Sequence, residues 1–296
     1  MTQQALVSFF YHSAFTVSLQ KTLLIFSYRQ KDVQQLEECH YLSSKDFRGF
    51  NNILVFVPSA SAVHHDPVIY SWKQSFPITY IMPQEAAKTA PRAANIRVCR
   101  EGDTFSVGHS EISVFGSTDQ GVSYLVSAEG LNVFHAGDLN LWHWREENTL
   151  KEIARAEQAF YEKTAAIPKD TIDICFFPLD PNQGGLYDAG ANHFIMSLRP
   201  KVFFPMHFGQ RAEIANEYAR RALSRRTTVF ALTSVRESAL VDFSGPNPVV
   251  RASSPVRAEQ EQARSNVDLA AYVHEDPFAQ TDLPVDLRED RETLGE

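Results

Sequence analysis

The sequence lacks any apolar run long enough to cross a membrane, since no stretch of about 18 consecutive apolar residues occurs in it. Its first residues also lack the basic segment, the apolar stretch and the small-residue cleavage site of a secretory leader. Only three cysteines are present, and they are scattered without a C-x-x-C pair, which fits a reducing compartment. Together these absences predict a cytoplasmic protein that does not associate with a membrane.

Positive charge is also scarce. The formal net charge is −8, and the stretch from Arg251 onward contributes −6 of it, through five arginines and eleven acidic residues. The rest of the chain is therefore almost neutral, and neither part attracts a phosphate backbone. Nucleic acid is not expected as a partner, so the expected partner is a small-molecule substrate or ligand.

The length and composition predict one folded domain followed by a tail. A hydrophobic content of 44% and a charged content of 22% are ordinary for a globular protein. We expect residues 1–245 to form the domain. Residues 246–296 begin with a stretch rich in Pro and Ser and continue as an acidic sequence with few large apolar residues. This composition predicts a disordered tail, in which only 267–273 has the pattern of a short helix.

Several short apolar runs end in residues that can bind metals. These runs and the residues that follow them are 53–56 with His64, 132–134 with Asp138, 172–177 with Asp180, and 202–204 with His207. Runs rich in β-branched and aromatic residues are typical of strands buried on both faces. Loops at the ends of such strands converge on one rim of a sheet, where functional sites usually lie.

Helical patterns separate these strands. Residues 146–166 predict an amphipathic helix, with Leu150, Ile153, Ala156 and Phe160 at spacings of three to four residues. Residues 213–225 show a similar pattern. Asp66-Pro67 predicts the start of a further helix, with Asp66 as its N-cap. The order of strands and helices predicts an α/β fold with two packed sheets flanked by helices.

The run V-P-S-A-S-A-V-H-H-D at 57–66 follows the first of these strands. It resembles the H-x-H-x-D-H motif that the metallo-β-lactamase superfamily carries at such a strand end. In this alignment Ser59, Ser61 and Val63 occupy the positions of His, His and Asp, and His64 is retained. Other segments resemble the same superfamily in the same order: 11–15, 23–28, 116–124, 134–140 and 203–209.

The resemblance extends over about residues 6 to 210. It is to a bacterial branch of the superfamily related to lactonases and phosphodiesterase-like hydrolases. It implies a four-layer αββα sandwich and a metal-dependent hydrolase ancestry. It also implies a carboxylate at position 27, where this chain has Ser27, to support the metal-binding histidines.

The resemblance further implies that one of two metal sites has lost its ligands. Ser59 and Ser61 replace two histidines of the first site, and a neutral hydroxyl is a poor zinc ligand. The second site retains His64, Asp138 and His207. Two imidazoles and a carboxylate can hold a single Zn²⁺, Mn²⁺ or Fe²⁺ with open positions for water.

Two interpretations of the retained residues stay open. In the first, one metal supports hydrolysis of a small ester, lactone or phosphoester, and Asp119 or Asp180 replaces the carboxylate lost at Val63. In the second, no metal is bound and the chain is a pseudoenzyme that binds a ligand or a protein. His64 then caps a helix, Asp138 accepts from the backbone of its turn, and His207 is a buried, hydrogen-bonded histidine.

The remaining candidates are assigned by their position in these segments. His12, His135 and His143 are expected to line the same cleft, and Trp142 and Trp144 to pack beside it. Tyr187 and Asp188 lie in a loop that is expected to cover the cleft. His109, His193 and His274 are expected at the surface. No G-x-S-x-G element surrounds Ser59, Ser61 or Ser117, so a serine nucleophile is not expected.

Overall fold

The structure is a computed structural model that describes residues 3–29, 41–92, 94–142, 147–221 and 226–253. The strands are β1 (Gln4–Tyr11), β2 (Ala14–Ser18), β3 (Thr22–Phe26), β4 (Asn52–Phe56), β5 (Ile78–Pro83), β6 (Ile96–Cys99), β7 (Thr104–Val107), β8 (Ser110–Gly116), β9 (Val122–Ala128), β10 (Leu131–His135), β11 (Ile174–Pro178), β12 (Val202–Met206), β13 (Thr228–Val229), β14 (Ser238–Asp242) and β15 (Val249–Ala252). The α-helices are α1 (Gln84–Ala87), α2 (Leu150–Ala165), α3 (Ala189–Leu198) and α4 (Ala212–Arg221), and 3-10 helices span Pro67–Gln74 and Pro181–Leu186.

The strands form two sheets of similar design. One has the order β15-β14-β1-β2-β3-β4-β5-β6, and the other has the order β13-β12-β11-β10-β9-β8-β7. In both sheets antiparallel strands are followed in the chain by parallel strands, namely β3 to β6 in one and β10 to β13 in the other. The first sheet then gains the antiparallel strands β14 and β15 beside β1. Because neighbouring parallel strands end at the same edge, the loops after β10, β11 and β12 start side by side.

Strand β11 shows how the second sheet is buried on both faces. The ring of Phe176 lies 4.4 Å from that of Phe15 in the first sheet, measured between centroids. Its neighbour Phe177 points the other way, with its ring 4.6 Å from Phe194 of α3 and 6.4 Å from Phe160 of α2. The second sheet therefore lies between the first sheet and a layer of helices, which explains its continuous apolar runs.

The first sheet is covered on its outer face in the same way. Along β4, Leu54 and Phe56 belong to the core between the sheets, whereas Ile53 and Val55 pack in a second apolar cluster. That second cluster includes Trp72 of the 3-10 helix Pro67–Gln74. Helical elements thus lie outside both sheets, and the predicted four-layer α/β sandwich is confirmed.

The helices predicted at 146–166 and 213–225 are present as α2 and α4, and the helix predicted after Asp66 is a 3-10 helix. Helix α2 begins after Thr149, whose side chain and that of Glu152 form a reciprocal capping box. Its Ile153 and Phe160 are buried as predicted, but Leu150 is 86% exposed, so the prediction that it packs against the core is wrong. Position 150 is the first residue of the helix. Asp66 caps the 3-10 helix as predicted, accepting from Val68 N at 2.9 Å.

The first sheet continues past the predicted end of the domain. Strand β15 pairs antiparallel with β14, in a register that aligns Val250 with Val241. Residues 1–254 form one compact unit, so the sheet includes residues that the Pro- and Ser-rich composition assigned to the tail. The predicted tail beyond Ser253, with its candidate helix at 267–273, lies outside the described residues. No helix in the described part of the chain has the length and apolarity needed to span a membrane.

Candidate metal centre

Three side chains that follow different strands meet at one edge of the sandwich. His64, Asp138 and His207 each offer one potential ligand atom, and these atoms all lie within 4.8 Å of one another. His64 comes from the loop after β4, Asp138 from the loop after β10, and His207 directly follows β12. The structure thus brings together the residues chosen from the sequence, and their role as metal ligands stays a prediction.

The loop that carries His64 approaches the second sheet closely. Its Pro58 carbonyl accepts from Val122 N at 3.0 Å. Gly121 has φ +74°, and a Cβ at this residue would lie 2.0 Å from the Pro58 oxygen. Gly137 has φ +56°, and a Cβ there would lie 2.7 Å from the Val122 oxygen. Only glycine fits at these two positions, which bring the loop and the Asp138 turn together.

His64 is completely buried, and both of its ring nitrogens have partners within the protein. Nε2 lies 2.6 Å from Asp138 Oδ1, and Nδ1 lies 2.5 Å from Ser27 Oγ. Ser27 is itself completely buried, and Asp138 is 5% exposed. The three side chains form a continuous hydrogen-bonded chain. It connects the end of β3, the loop after β4 that carries His64 (the motif loop) and the loop after β10.

Three residues of this region adopt the left-handed backbone conformation. His12, Ser27 and His207 have φ of 56°, 53° and 67°, and each immediately follows a strand. Such a conformation costs a residue with a side chain about 1 to 2 kcal/mol, and it is concentrated at functional sites. Here it turns the chain at the end of β1, β3 and β12, so the three side chains lie near one another.

His207 lies between two carboxylates and a second histidine. Its Nε2 is 3.7 Å from Asp138 Oδ1, and its Nδ1 is 3.3 Å from Asp180 Oδ2. The ring of His12 packs 4.0 Å away, and His12 O accepts from His207 N at 2.9 Å. Burial, together with the neighbouring imidazoles of His207 and His64 and the charge of Arg29, lowers the pKa of His12 to about 2. Its buried Nε2 has no hydrogen-bond partner among the residues that the structure describes.

The cluster borders a cavity of about 330 Å³ lined by Thr118, Asp119, Asp138, Trp142, Asp180 and His207. Three carboxylates, an imidazole and an indole therefore face the same space. The indole Nε1 of Trp142 donates to Asp138 O at 2.7 Å, which fixes the wall of the cavity to the loop that carries Asp138. A concave space with converging polar groups is typical of a ligand site.

The two other aspartates of the cavity have pKa values that move in opposite directions. Burial and the nearby charge of Asp138 raise the pKa of Asp119. Burial also tends to raise the pKa of Asp180, but His207 and the backbone N–H of Asn182, which donates at 2.8 Å, outweigh it and lower that pKa. Asp180 is thus held as a carboxylate, whereas Asp119 takes up a proton more readily than an ordinary aspartate.

Comparisons with known proteins identify the architecture. The chain matches no protein-family model and no curated protein sequence. It is similar in structure to Igni18, a metallo hydrolase from Ignicoccus hospitalis, with a TM-score of 0.59 and 17% identity over 81% of this chain and 100% of that one. It is also similar to the metallo-β-lactamase fold protein YhfI from Bacillus subtilis, with a TM-score of 0.52 and 9% identity over 82% of this chain and 100% of that one. The chain has the metallo-β-lactamase fold.

A third neighbour with this fold has a different activity. CmlA, a diiron β-hydroxylase from Streptomyces venezuelae, gives a TM-score of 0.52 with 8% identity, over 84% of this chain and 54% of that one. The structural neighbours of this chain thus include both a hydrolase and a hydroxylase. The fold alone therefore does not determine the reaction, which has to be inferred from the residues of the site.

The three residues that replace the motif ligands do not join the cluster. Ser59 Oγ accepts from Ser61 N at 3.3 Å, and Ser61 Oγ accepts from Val63 N at 3.5 Å. Both hydroxyls thus bond to the backbone of their own loop, as serines in turns commonly do. In the metallo-β-lactamase fold of this chain, the motif loop therefore contributes His64 to the cluster through a serine-rich turn.

Several candidates lie elsewhere than the sequence predicted. His135 is completely buried between the rings of Phe26 and Phe176 and does not line the cavity. Tyr187 and Asp188 do not cover it either, because they interact with Arg221 of α4.

The other histidines and the flanking tryptophan can be placed only in part. His193 is half-buried, with its ring 4.6 Å from that of Tyr161. His109 is exposed as predicted. His143, Trp144 and His274 lie outside the described residues.

The sequence did not predict the hydrogen bonds between polar side chains that connect the loops around the cavity. Thr118 Oγ1 donates to Asn140 O and accepts from Asn140 N at 3.0 Å. Asn140 Nδ2 donates to Gln183 Oε1 at 3.0 Å. These residues join the loops after β8, β10 and β11. Nothing in their spacing marks them, since their contacts depend on how the loops pack.

Proposed function

We propose that this chain is a hydrolase that uses one divalent metal ion to cleave a small ester, lactone or phosphoester. The observation that supports this proposal most directly is the convergence of three potential ligand atoms within 4.8 Å beside a cavity of about 330 Å³. A small-molecule substrate fits the size of this cavity. The net charge of −8 argues against a nucleic-acid substrate.

The donor set fits one metal better than two. His64 Nε2, His207 Nε2 and a carboxylate oxygen of Asp138 are a typical set for a catalytic metal with an open position. His207 Nε2 and Asp138 Oδ1, 3.7 Å apart, would hold the ion together with His64. The 2.6 Å contact between His64 and Asp138 would have to widen. A second metal would lack the two motif imidazoles that Ser59 and Ser61 replace.

The chain's own residues then have separate roles. A bound divalent ion supplies Lewis acidity and lowers the pKa of a water molecule. Asp180, which stays ionised, orients the ring of His207. Asp119, with its raised pKa, is suited to exchange a proton with the reacting groups. Trp142 provides an apolar wall against which the substrate can lie.

The decisive experiment combines metal analysis with assays on the natural chain and on Asp138→Asn. The protein would be purified without chelator or metal-affinity tag and dialysed against Zn²⁺ or Mn²⁺. We expect about one metal per chain and metal-dependent cleavage of a chromogenic ester, a thiolactone or a nitrophenyl phosphate. Asp138→Asn keeps the size of the side chain but removes its charge. It should weaken metal binding by more than the roughly 10 to 100-fold that is typical when a residue hydrogen-bonded to a metal ligand is replaced.

Ser59→Ala is the matched control, because Ser59 is equally buried in the same site region but bonds only to its own loop. It should leave metal content and activity unchanged. Metal lost from Ser59→Ala but retained by Asp138→Asn would show that the metal binds elsewhere.

One observation favours a second candidate, a metal-free protein that binds a ligand or a partner. Both nitrogens of His64 are already satisfied by Ser27 and Asp138, so His64 does not need a metal to satisfy its ring nitrogens. Absence of metal after dialysis against both ions would establish this alternative and reject the hydrolase.

A further inference from the structure

The described walls of the cavity carry more negative charge than one divalent ion would neutralise. Three of the described lining residues are aspartates, namely Asp119, Asp138 and Asp180, and none of the described ones is lysine or arginine. A ligating imidazole is neutral, so His207 adds no charge to a loaded site. The three carboxylates therefore leave one negative charge in excess when the ion is bound, and a larger excess when it is absent.

Among the described aspartates of the cavity, Asp119 is the one whose carboxylate is open to a ligand. Asp138 is already bonded to His64, at 2.6 Å, and Asp180 lies 3.3 Å from His207. The carboxylate of Asp119 has no hydrogen bond and no ion pair in the part of the chain that the structure describes. The residue is also exposed, so a charged group of a ligand can reach it without displacing a protein partner.

The indole of Trp142 lines the same space and provides a second, independent feature. Its ring lies 5.5 Å from that of His207, measured between centroids, so it stands beside the proposed metal site. The electron-rich face of an aromatic ring attracts cations, and tryptophan does so most strongly. A carboxylate and an indole that border one small cavity are two kinds of group that recognise an ammonium ion, whereas an anion gains from neither.

We propose that the cavity selects small esters or lactones that carry an ammonium group, and that Asp119 and Trp142 recognise this group. The reaction itself rests on the proposed hydrolase function, whereas the selection by charge rests on the walls of the cavity. The inference narrows the substrate class. A phosphoester would add negative charge to a space that already has an excess of it, so esters and lactones are favoured over phosphoesters.

The carboxylates of the cavity already repel one another. Burial and the charge of Asp138 raise the pKa of Asp119. A cation beside Asp119 favours its ionised form and so opposes this shift. A cationic substrate would therefore bring its own counter-charge to the site, and it would keep Asp119 in the form that accepts a proton.

The first measurement is binding without chemistry, on the full chain with and without zinc. Choline and neohexyl alcohol have the same shape, but a carbon atom of the second replaces the quaternary nitrogen of the first. Isethionate is an anion of similar size. By isothermal titration calorimetry we expect choline to bind at least about 10-fold more tightly than neohexyl alcohol, and isethionate to bind most weakly. The preference for choline should increase when zinc is removed and decrease with added salt.

The second measurement is the ratio of kcat/KM for the acetate esters of the same two alcohols, on the zinc-loaded chain. The ratio should favour the choline ester by roughly 10 to 30-fold. Asp119→Asn removes the charge at nearly constant size and should remove most of this preference. The ratio is informative although Asp119 is also assigned to proton exchange, because a loss of proton exchange slows both esters alike.

Glu111→Gln is the matched control for charge. Glu111 is exposed at the start of β8, whereas Asp119 follows the end of this strand, so the control removes the same charge at a distance from the cavity. It should leave the ratio and both rates unchanged. At position 142, Trp142→Phe and Trp142→Leu both lose the indole bond to Asp138 O. Only Trp142→Phe keeps an aromatic ring, so it should retain more of the preference.

Equal binding of choline and neohexyl alcohol to the natural chain would overturn the inference, even if no variant folds. A preference for choline that Asp119→Asn retains in full, or that Glu111→Gln loses, would overturn it as well. Cleavage of both esters at equal rates would reject the inference and leave the hydrolase proposal intact. Selective binding of choline without cleavage of any ester would reject the hydrolase and support the selection by charge.

Discussion

At the scale of single residues, His135 makes the protein sensitive to acid without belonging to the metal cluster. Its Nε2 donates to Ser13 O at 2.9 Å, and its Nδ1 accepts from Gly137 N at 3.1 Å. A second proton would have to go on Nδ1 and would break the bond to Gly137. Burial, together with the nearby imidazole of His64, lowers the pKa of His135 to about 3, against an ordinary value of 6.5.

We predict that the free energy of unfolding falls as the pH is lowered from 6.5 towards 3. The unfolded chain takes up a proton at His135 near pH 6.5, whereas the folded chain resists it until about pH 3, so acid favours unfolding. Between pH 7 and 5 this residue should cost about 2 kcal/mol. Urea unfolding in the presence of chelator at pH 7, 6 and 5 measures it.

The variants His135→Gln and His109→Gln separate this effect from general acid sensitivity. His135→Gln should be less stable at pH 7 but should lose less stability on acidification. His109 is exposed, so His109→Gln should follow the natural chain. Equal slopes for His135→Gln and the natural chain would refute the assignment.

The sequence predicted which residues meet in the site, because each follows a buried strand and parallel strands end at a common edge. The resemblance implied that position 27 supports the metal-binding histidines, but the sequence did not predict that the Ser27 hydroxyl contacts His64 Nδ1, since that contact depends on the left-handed backbone of Ser27 and on its rotamer. It placed His135 in the cleft because His135 and Asp138 lie in one segment. Residues in a strand alternate between faces, however, and His135 is the last residue of β10 with its ring directed into the core.

At the scale of elements, the position of the motif loop depends on a single close approach to β9. The Pro58 oxygen occupies the space beside Gly121 Cα, and it also accepts from Val122. Any side chain at position 121 therefore displaces the loop that carries His64. Gly102 makes a useful comparison, because it has φ +88° and no atom within 4 Å of its missing Cβ.

We predict that Gly121→Ala destabilises the protein much more than Gly102→Ala. Both variants place alanine in the left-handed conformation, at a cost of roughly 1 to 2 kcal/mol. Gly121→Ala adds the clash of its Cβ with the Pro58 oxygen, which should cost about 1 to 3 kcal/mol more. Urea unfolding measures both values, and equal losses would show that the loop relaxes freely.

The elements themselves were largely predictable, and the exceptions have physical reasons. Strands β4, β10, β11 and β12 are continuous apolar runs, so their burial on both faces is evident from composition. Strand β15 is not a continuous apolar run, since Val249 and Val250 are its only large apolar residues and prolines lie nearby in the sequence. Its pairing with β14 gives it an extended structure that its own composition does not specify.

At the scale of the whole molecule, contacts distant in sequence hold the first sheet together. Arg236, close to the start of β14, forms two ion-pair contacts with Asp46, at 2.6 and 2.8 Å, and its guanidinium lies over the ring of Phe10. Arg236 and Asp46 are 190 residues apart in the chain. An ion pair and strand pairing thus both connect the last strands of the described chain to its N-terminal part.

We predict that a chain ending at residue 253 melts at the temperature of the full chain, whereas one ending at 245 melts lower. The shorter chain lacks β15, which leaves the edge of β14 unpaired and exposes the apolar surface covered by Val250. For a domain of this size each kcal/mol lost lowers the melting temperature by roughly 2 to 4 °C. Thermal unfolding by circular dichroism compares the two, and identical curves would show that β15 contributes no stability.

The place of β1 in its sheet has a consequence for synthesis on the ribosome. Its two neighbours are β2, a few residues away, and β14, whose Ser238 bonds to Ser8 across 230 residues. At roughly 5 to 20 residues per second, translation supplies that second neighbour roughly 10 to 50 s after β1 emerges. For that interval an apolar strand has an open edge, the kind of surface that pairs with other nascent chains. We therefore expect the N-terminal half to be prone to mispairing until the last strands are made.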